Sequence, residues 1–252
     1  MKDFEFVKMS TYTDGLDYHG YNTKAARETG QNKKPGTKLV YAPIIDRPPA
    51  DPSTMLTAMC EAKRLTKEAD QNVTIFTADQ QLYKVMVDIT WEEKEKFNDF
   101  IPRIGGMHWL MSFVGCVGTL MANSGLAEIL KSTFAGTEKM LSGKKFPMNV
   151  RALRLVVLEI LRGKIDEVST YSEFENFLNE QSKKGITCSH WINNLIRPVL
   201  LMMLYVHAEP EGEWALHLYA CKEMIPYFFC CRSFQLRPLW NCVPPFYGKA
   251  AQ

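Results

Sequence analysis

The sequence has little of what marks secreted or membrane proteins. Residues 1–5 lack the basic and apolar regions of a signal peptide, and none of the seven cysteines forms a CxxC pair. Residues 104–127 carry no formal charge, but their densely apolar part, residues 107–121, is shorter than the roughly 20 residues of a membrane span. We therefore expect reduced thiols, no membrane partner and an intracellular location, nuclear or cytoplasmic.

The sequence also lacks a strong charge imbalance. The formal net charge is +2 over 252 residues, so any nucleic-acid-binding role must depend on local clusters of basic residues. The length suits one large domain or two small ones. The pattern along the chain predicts a basic, irregular N-terminal arm at 1–50, an α/β core at 51–111, a helical lobe at 112–229 and a divergent C-terminal tail at 230–252.

The predicted α/β core contains two short β-prone segments. Asp51-Pro52 provides an N-cap residue followed by proline at the first helical position, which predicts that a helix begins there. The apolar run at 73–78 predicts a buried strand, residues 80–89 a helix, and residues 100–104 a second strand.

The rest of the chain is predicted to be almost wholly helical. The apolar spacing favours helices at 107–122, 125–134, 137–142, 148–162, 171–182, 189–208 and 213–229. Because strands occur only in the first half, we expect a mostly helical α/β fold. In it, a strand-helix-strand unit carries a large helical insertion or a second lobe.

Asp79 lies at the carboxyl end of the first predicted strand, where open α/β sheets place their ligand crevice. This order of elements is found in RNase H-like transposase cores: an acid after a strand, then a helix, a second strand and a histidine, here His108. There the acid binds a divalent metal, Mg²⁺ or Mn²⁺. Such a centre needs two or three carboxylates around two metals about 4 Å apart, so Asp79 alone is insufficient. The alternative role of Asp79 is an N-cap for the helix that follows it.

Several short motifs resemble a group of uncharacterised, transposon-derived proteins abundant in invertebrate genomes, over residues 15–229. The motifs are Thr77–Tyr83, Arg103–His108, Ser124–Leu126, Ser142–Lys144, Arg151-Ala152, Glu211–Leu218 and Met224–Phe229.

This resemblance, together with the element order, implies an RNase H-like (DDE-type) core whose first acid belongs to a segment upstream of residue 1. We therefore expect an N-terminally truncated, incomplete active site. Two glutamates are candidates for the third acid: Glu211, which matches the family's acidic position before the tryptophan, and Glu159 in the basic helix. An exposed glutamate is more often simply solvated. From Cys230 onward the sequence departs from the family pattern.

Two histidines have open roles. His108 follows the second strand and its glycine turn, so it either lies near Asp79 or anchors the turn as a core residue. His217 and Cys221 are four residues apart on one predicted helix face, which makes them a weak candidate pair of metal ligands with Cys188 and His190 as partners.

The helix predicted at 148–162 has a basic face. Arg151, Arg154 and Arg162 project to one side, with Lys144 and Lys145 just upstream, and together they form a candidate phosphate-binding surface. The alternative is a solvated helix face. The opposite side is an apolar stripe of Leu153, Val156, Val157, Ile160 and Leu161.

The sequence therefore predicts a transposon-derived, nucleic-acid-associated protein, with DNA as its expected partner and no independent catalytic activity. One alternative is a metal-dependent strand transferase or nuclease using Mg²⁺ or Mn²⁺ for phosphodiester transfer. The other is a non-catalytic protein-interaction module.

Overall fold

A computed structural model describes residues 41–133, 146–165, 167–211 and 213–231. For Thr133, Phe146, Pro147, Pro210 and Glu211 it describes the backbone alone. The chain divides into two compact units, and among the described residues the division falls between Leu110 and Met111.

The first unit, residues 41–110, contains a strand-helix-strand motif. Its elements are α1 (Pro52–Glu68), β1 (Thr74–Ala78), α2 (Gln80–Glu92), β2 (Phe100–Ile104) and the first residues of α3 (Gly106–Leu120). The predicted start of α1 is confirmed, because the Asp51 carboxylate accepts a hydrogen bond from the Thr54 N–H at 3.1 Å and Pro52 is the first helical residue.

The two strands pair in parallel, in a register that aligns Thr74 with Phe100 and Ala78 with Ile104. The Thr74 N–H donates to the Asp99 carbonyl oxygen at 2.9 Å, so the backbone polar groups of alternate β1 residues from Thr74 onward face β2. By the same alternation, Pro102 lies on the outer side of β2, where its missing N–H costs no ladder hydrogen bond.

The core of this unit lies between one face of the sheet and helices α1 and α2. Phe100 packs edge-to-face against Phe76 and Phe97, with ring centroids 5.9 and 5.4 Å apart. The opposite face of the sheet is open in the described residues, since Ile75 is 62% exposed. The buried members of the core are Met55, Met59, Tyr83, Met86, Val87, Ile89, Phe97 and Phe100.

The second unit, residues 111–231, is helical throughout its described part. It contains the remainder of α3, then α4 (Leu126–Thr133), α5 (Phe146–Leu161), α6 (Tyr171–Lys183), α7 (Ile186–Trp191), a π-helical turn (Ile192–Ile196), α8 (Arg197–Glu211) and α9 (Trp214–Cys230).

Aromatic contacts fix two helix pairs in this unit. Phe113 of α3 packs edge-to-face against Tyr227 and Phe228 of α9, each at 5.7 Å between ring centroids. Tyr205 of α8 contacts the His217 ring of α9 at 4.7 Å, as expected for a helical hairpin with a short connection.

A capping box at Thr170 and Glu173 begins α6.

The predicted fold class is confirmed at the level of a mostly helical chain with a small parallel sheet. Within the described ranges, no helix is both long enough and apolar enough to cross a bilayer. The uncharged segment at 107–121 instead contributes buried side chains such as Phe113, Val114 and Val117.

Candidate functional site

Asp79 is placed where the sequence predicts it, at the carboxyl end of β1. Its side chain is exposed, and its carboxylate Oδ1 accepts a hydrogen bond from the Leu82 N–H at 2.9 Å. Asp79 is thus the N-cap of α2, which is the alternative role that the sequence left open.

His108 lies at the same end of the sheet, in the first turn of α3. The last backbone hydrogen bond between the two strand segments forms at this end, where the Gly105 N–H donates to the Ala78 carbonyl oxygen at 2.8 Å. A Cβ at position 105 would lie 3.4 Å from that oxygen and 3.8 Å from Cδ2 of His108. The residues that follow the two strands therefore meet at one edge, as parallel pairing requires.

The described residues do not assemble a metal-binding set. None of them form a group of three or more histidine, cysteine, aspartate and glutamate side chains able to hold a metal ion. Glu211 is the last residue of α8, and its side chain lies outside the described part of the structure. Asp79 by itself does not fit a two-metal centre, which needs two or three converging carboxylates.

The basic face of α5 is present but is less uniform than the sequence predicts. Arg151 on α5 and Arg162, which lies in the turn just after the last helical residue Leu161, are exposed. Arg154 is half-buried, with its Nε shielded from solvent. At about 100° per residue, Arg154 lies about 60° from buried Val157 and about 60° from Arg151. It therefore occupies the margin between the buried side and the exposed side of the helix.

The apolar stripe of α5 is confirmed at Leu153, Val157 and Leu161, which are all buried. Ile160 is an exception, since it is 45% exposed at the last turn of the helix. Lys144 and Lys145, the other two predicted phosphate-binding residues, lie outside the described residues.

His217 is a packed core residue. It is 6% exposed, stacks on the Trp214 ring at 5.3 Å and 13°, and lies 3.7 Å through Nε2 from Sγ of Cys221. His190 instead lies 2.9 Å through Nδ1 from the Asn194 side-chain amide. Packing and local hydrogen bonds therefore account for the positions of both imidazole rings.

Sequence reasoning missed a polar groove beside the π-helical turn. Ser189 accepts hydrogen bonds from the Ser182 hydroxyl and the Asn193 amide, each at 3.2 Å, and the groove has a volume of about 530 Å³. The signal was the repeat of polar residues at i and i+4 within an apolar helix, at 189/193 and 190/194. The lining contains no carboxylate and comprises Ser182, Lys183, Gly185, Ile186, Ser189, His190, Asn193 and Asn194.

A family model described as a domain of unknown function (DUF8702) matches residues 17–170 and 164–236. These ranges span most of the chain, which therefore belongs to this family. No curated protein and no solved structure matches it.

Proposed function

We propose that this chain is a transposon-derived, nucleic-acid-associated protein that contacts DNA phosphates through α5 and catalyses no phosphodiester chemistry by itself. The observation that carries the proposal is the exposure of Arg151, on α5, and of Arg162, in the turn that directly follows α5. The two positions are eleven residues apart, which is about 16 Å along a continuing helix. At that separation the two guanidiniums can contact different phosphates, since duplex DNA carries one charge per about 1.7 Å of its axis.

The local charge of this segment supports a phosphate partner. Residues 146–164 contain four basic side chains and one acidic side chain, Glu159, although the whole chain carries only +2. Such clustering is the feature that a weakly charged chain needs in order to attract nucleic acid.

The acidic neighbours of the cluster do not prevent this role. Glu159 contacts Arg162 through Oε2 and Nε at 3.3 Å, and the two side chains are 66% and 79% exposed. Exposed ion pairs contribute about 0–1 kcal/mol, so a phosphate can replace the glutamate as the partner of Arg162 at little cost.

The form of the first unit supports the proposed relation to RNase H-like cores. It is a parallel strand-helix-strand unit with an acid at the end of its first strand. We propose that the chain does not catalyse phosphodiester chemistry by itself. Asp79 caps α2, and two-metal phosphodiester chemistry needs two or three converging carboxylates. A nuclear or cytoplasmic location is part of the same proposal.

The test is duplex DNA binding by the double variant Arg151→Gln/Arg162→Gln, measured by fluorescence anisotropy across a salt series. Each lost phosphate contact should reduce the slope of log affinity against log salt by about 0.9, for every DNA sequence tried. Arg64→Gln/Lys131→Gln is the matched control, since it removes the same charge from exposed positions on α1 and α4.

The control should keep the wild-type slope. An unchanged slope in a folded Arg151→Gln/Arg162→Gln protein would refute the proposal. The absence of any salt-dependent DNA binding by the wild type would favour the protein-interaction module instead.

A further inference from the structure

Two cysteines distant in sequence meet in the second unit. Cys116 lies on α3, and Cys231 directly follows α9. The Cys231 thiol donates to the backbone carbonyl oxygen of Cys116, with Sγ 3.2 Å from that oxygen. The Cys231 sulfur therefore lies directly against the residue that carries the second thiol.

The helix packing around the pair fixes this meeting. Phe113, one turn before Cys116, packs against Tyr227 and Phe228, which are one turn before Cys231. Because side chains three and four residues apart share a helix face, the aromatic contacts and the thiol contact belong to one seam between α3 and α9.

The two thiols differ in solvent access. Cys116 is 3% exposed, whereas Cys231 is partly exposed. The neighbouring Cys116 thiol holds the pKa of Cys231 below its usual range, while the Cys231 thiol and burial raise the pKa of Cys116. An oxidant from solvent therefore meets the thiol that ionises more readily, and the buried thiol lies behind it.

We infer that Cys231 and Cys116 form a peroxide-sensitive thiol pair, in which Cys231 is oxidised first and Cys116 resolves it to a disulfide. The Cys231 thiolate attacks one oxygen of hydrogen peroxide, the O–O bond breaks, and the departing oxygen leaves as water after protonation. The product is a sulfenic acid on Cys231.

The sulfur of Cys116 then attacks the sulfur of that sulfenic acid. An S–S bond forms, the S–O bond breaks, and the hydroxyl leaves as water with the proton of Cys116. The two thiols lose two electrons in total, and one peroxide is reduced to two waters. The disulfide joins α3 to the end of α9 within the second unit.

The test is peroxide treatment of the reduced full-length protein, followed by alkylation and non-reducing peptide mapping. We expect a cross-linked peptide that contains Cys116 and Cys231 and disappears on reduction with dithiothreitol. It should be lost in Cys116→Ser and in Cys231→Ser, and retained in the matched controls Cys188→Ser and Cys230→Ser, which change exposed thiols.

A dimedone probe for sulfenic acid keeps the test decisive if a variant folds poorly. Dimedone should label Cys231 in Cys116→Ala, where the intermediate has no resolving thiol, and less so in the wild type. Circular dichroism of the variants checks that they are folded. The inference is wrong if the main disulfide contains Cys188 or Cys230, or if peroxide leaves the Cys116–Cys231 pair reduced while it oxidises exposed thiols.

Discussion

Glu175 of α6 accepts hydrogen bonds from Nη1 of Arg197 at both carboxylate oxygens, at 2.8 and 3.1 Å, although the residues are 22 positions apart. Nη2 of the same guanidinium donates to the Asn179 side-chain oxygen at 3.1 Å, one turn further along α6. Both members of the ion pair are 26% exposed, so solvent screens the contact only in part. Arg197 therefore joins the start of α8 to α6 by three charge-assisted hydrogen bonds.

Replacement of Arg197 should destabilise the protein. We expect Arg197→Ala to lower the free energy of unfolding by about 1–2 kcal/mol, because charged hydrogen bonds in a partly buried setting are lost. Urea denaturation followed by circular dichroism measures this change. Arg64→Ala is the control, since Arg64 pairs with Glu61 and Glu68 on the exposed side of α1 and its loss should leave the midpoint nearly unchanged. Equal effects of the two substitutions would contradict the assignment.

Tyr171 should make stability depend on alkaline pH. Burial, followed by the nearby Glu175 carboxylate, raises the pKa of Tyr171 to about 12, and its hydroxyl donates to Glu175 at 3.0 Å. Because this pKa is above the value of about 10 in the unfolded chain, the folded state holds the proton more tightly. The stabilisation is complete below pH 10 and is lost as the pH rises from about 10 through 12.

The measurement is the urea midpoint of wild type and Tyr171→Phe between pH 9 and 12. The wild-type midpoint should fall more steeply with pH than that of Tyr171→Phe, which lacks the titrating hydroxyl. Ultraviolet absorbance of tyrosinate should also show one fewer late-titrating group in the variant. Parallel pH profiles for the two proteins would show that Tyr171 titrates alike in the folded and unfolded states.

Substitutions at Asp79 separate its capping role from the predicted metal-binding role. Asp79→Ala should lower the free energy of unfolding by about 1 kcal/mol, because the Leu82 N–H loses its acceptor, whereas Asp79→Asn retains a good N-cap and should leave stability unchanged. We expect no nicking of plasmid DNA in Mg²⁺ or Mn²⁺ by the wild type. Metal-dependent nicking that both Asp79→Ala and Asp79→Asn abolish would instead show a catalytic carboxylate.

The sequence by itself determined the elements whose signals lie within a few residues. The Asp51-Pro52 cap and the strand at 100–104 are as predicted, and Asp79 has the capping role that the sequence left open as an alternative. Side-chain caps and β-prone residues act on the backbone beside them. The buried side of α5 also follows largely from its periodicity. The proposed nucleic-acid association and the relation to RNase H-like cores stay predictions.

The tertiary structure alone decided which distant residues meet. One predicted helix at 189–208 is in fact α7, a π-helical turn and α8, and the groove beside that turn depends on Ser182 of the preceding helix. The half-burial of Arg154 and the exposure of Ile160 depend on which neighbours cover α5. Cys116 and Cys231 are 115 positions apart, so their contact follows from the packing of α3 on α9. Local periodicity fixes a face of a helix, but only the complete set of packed neighbours determines what that face touches.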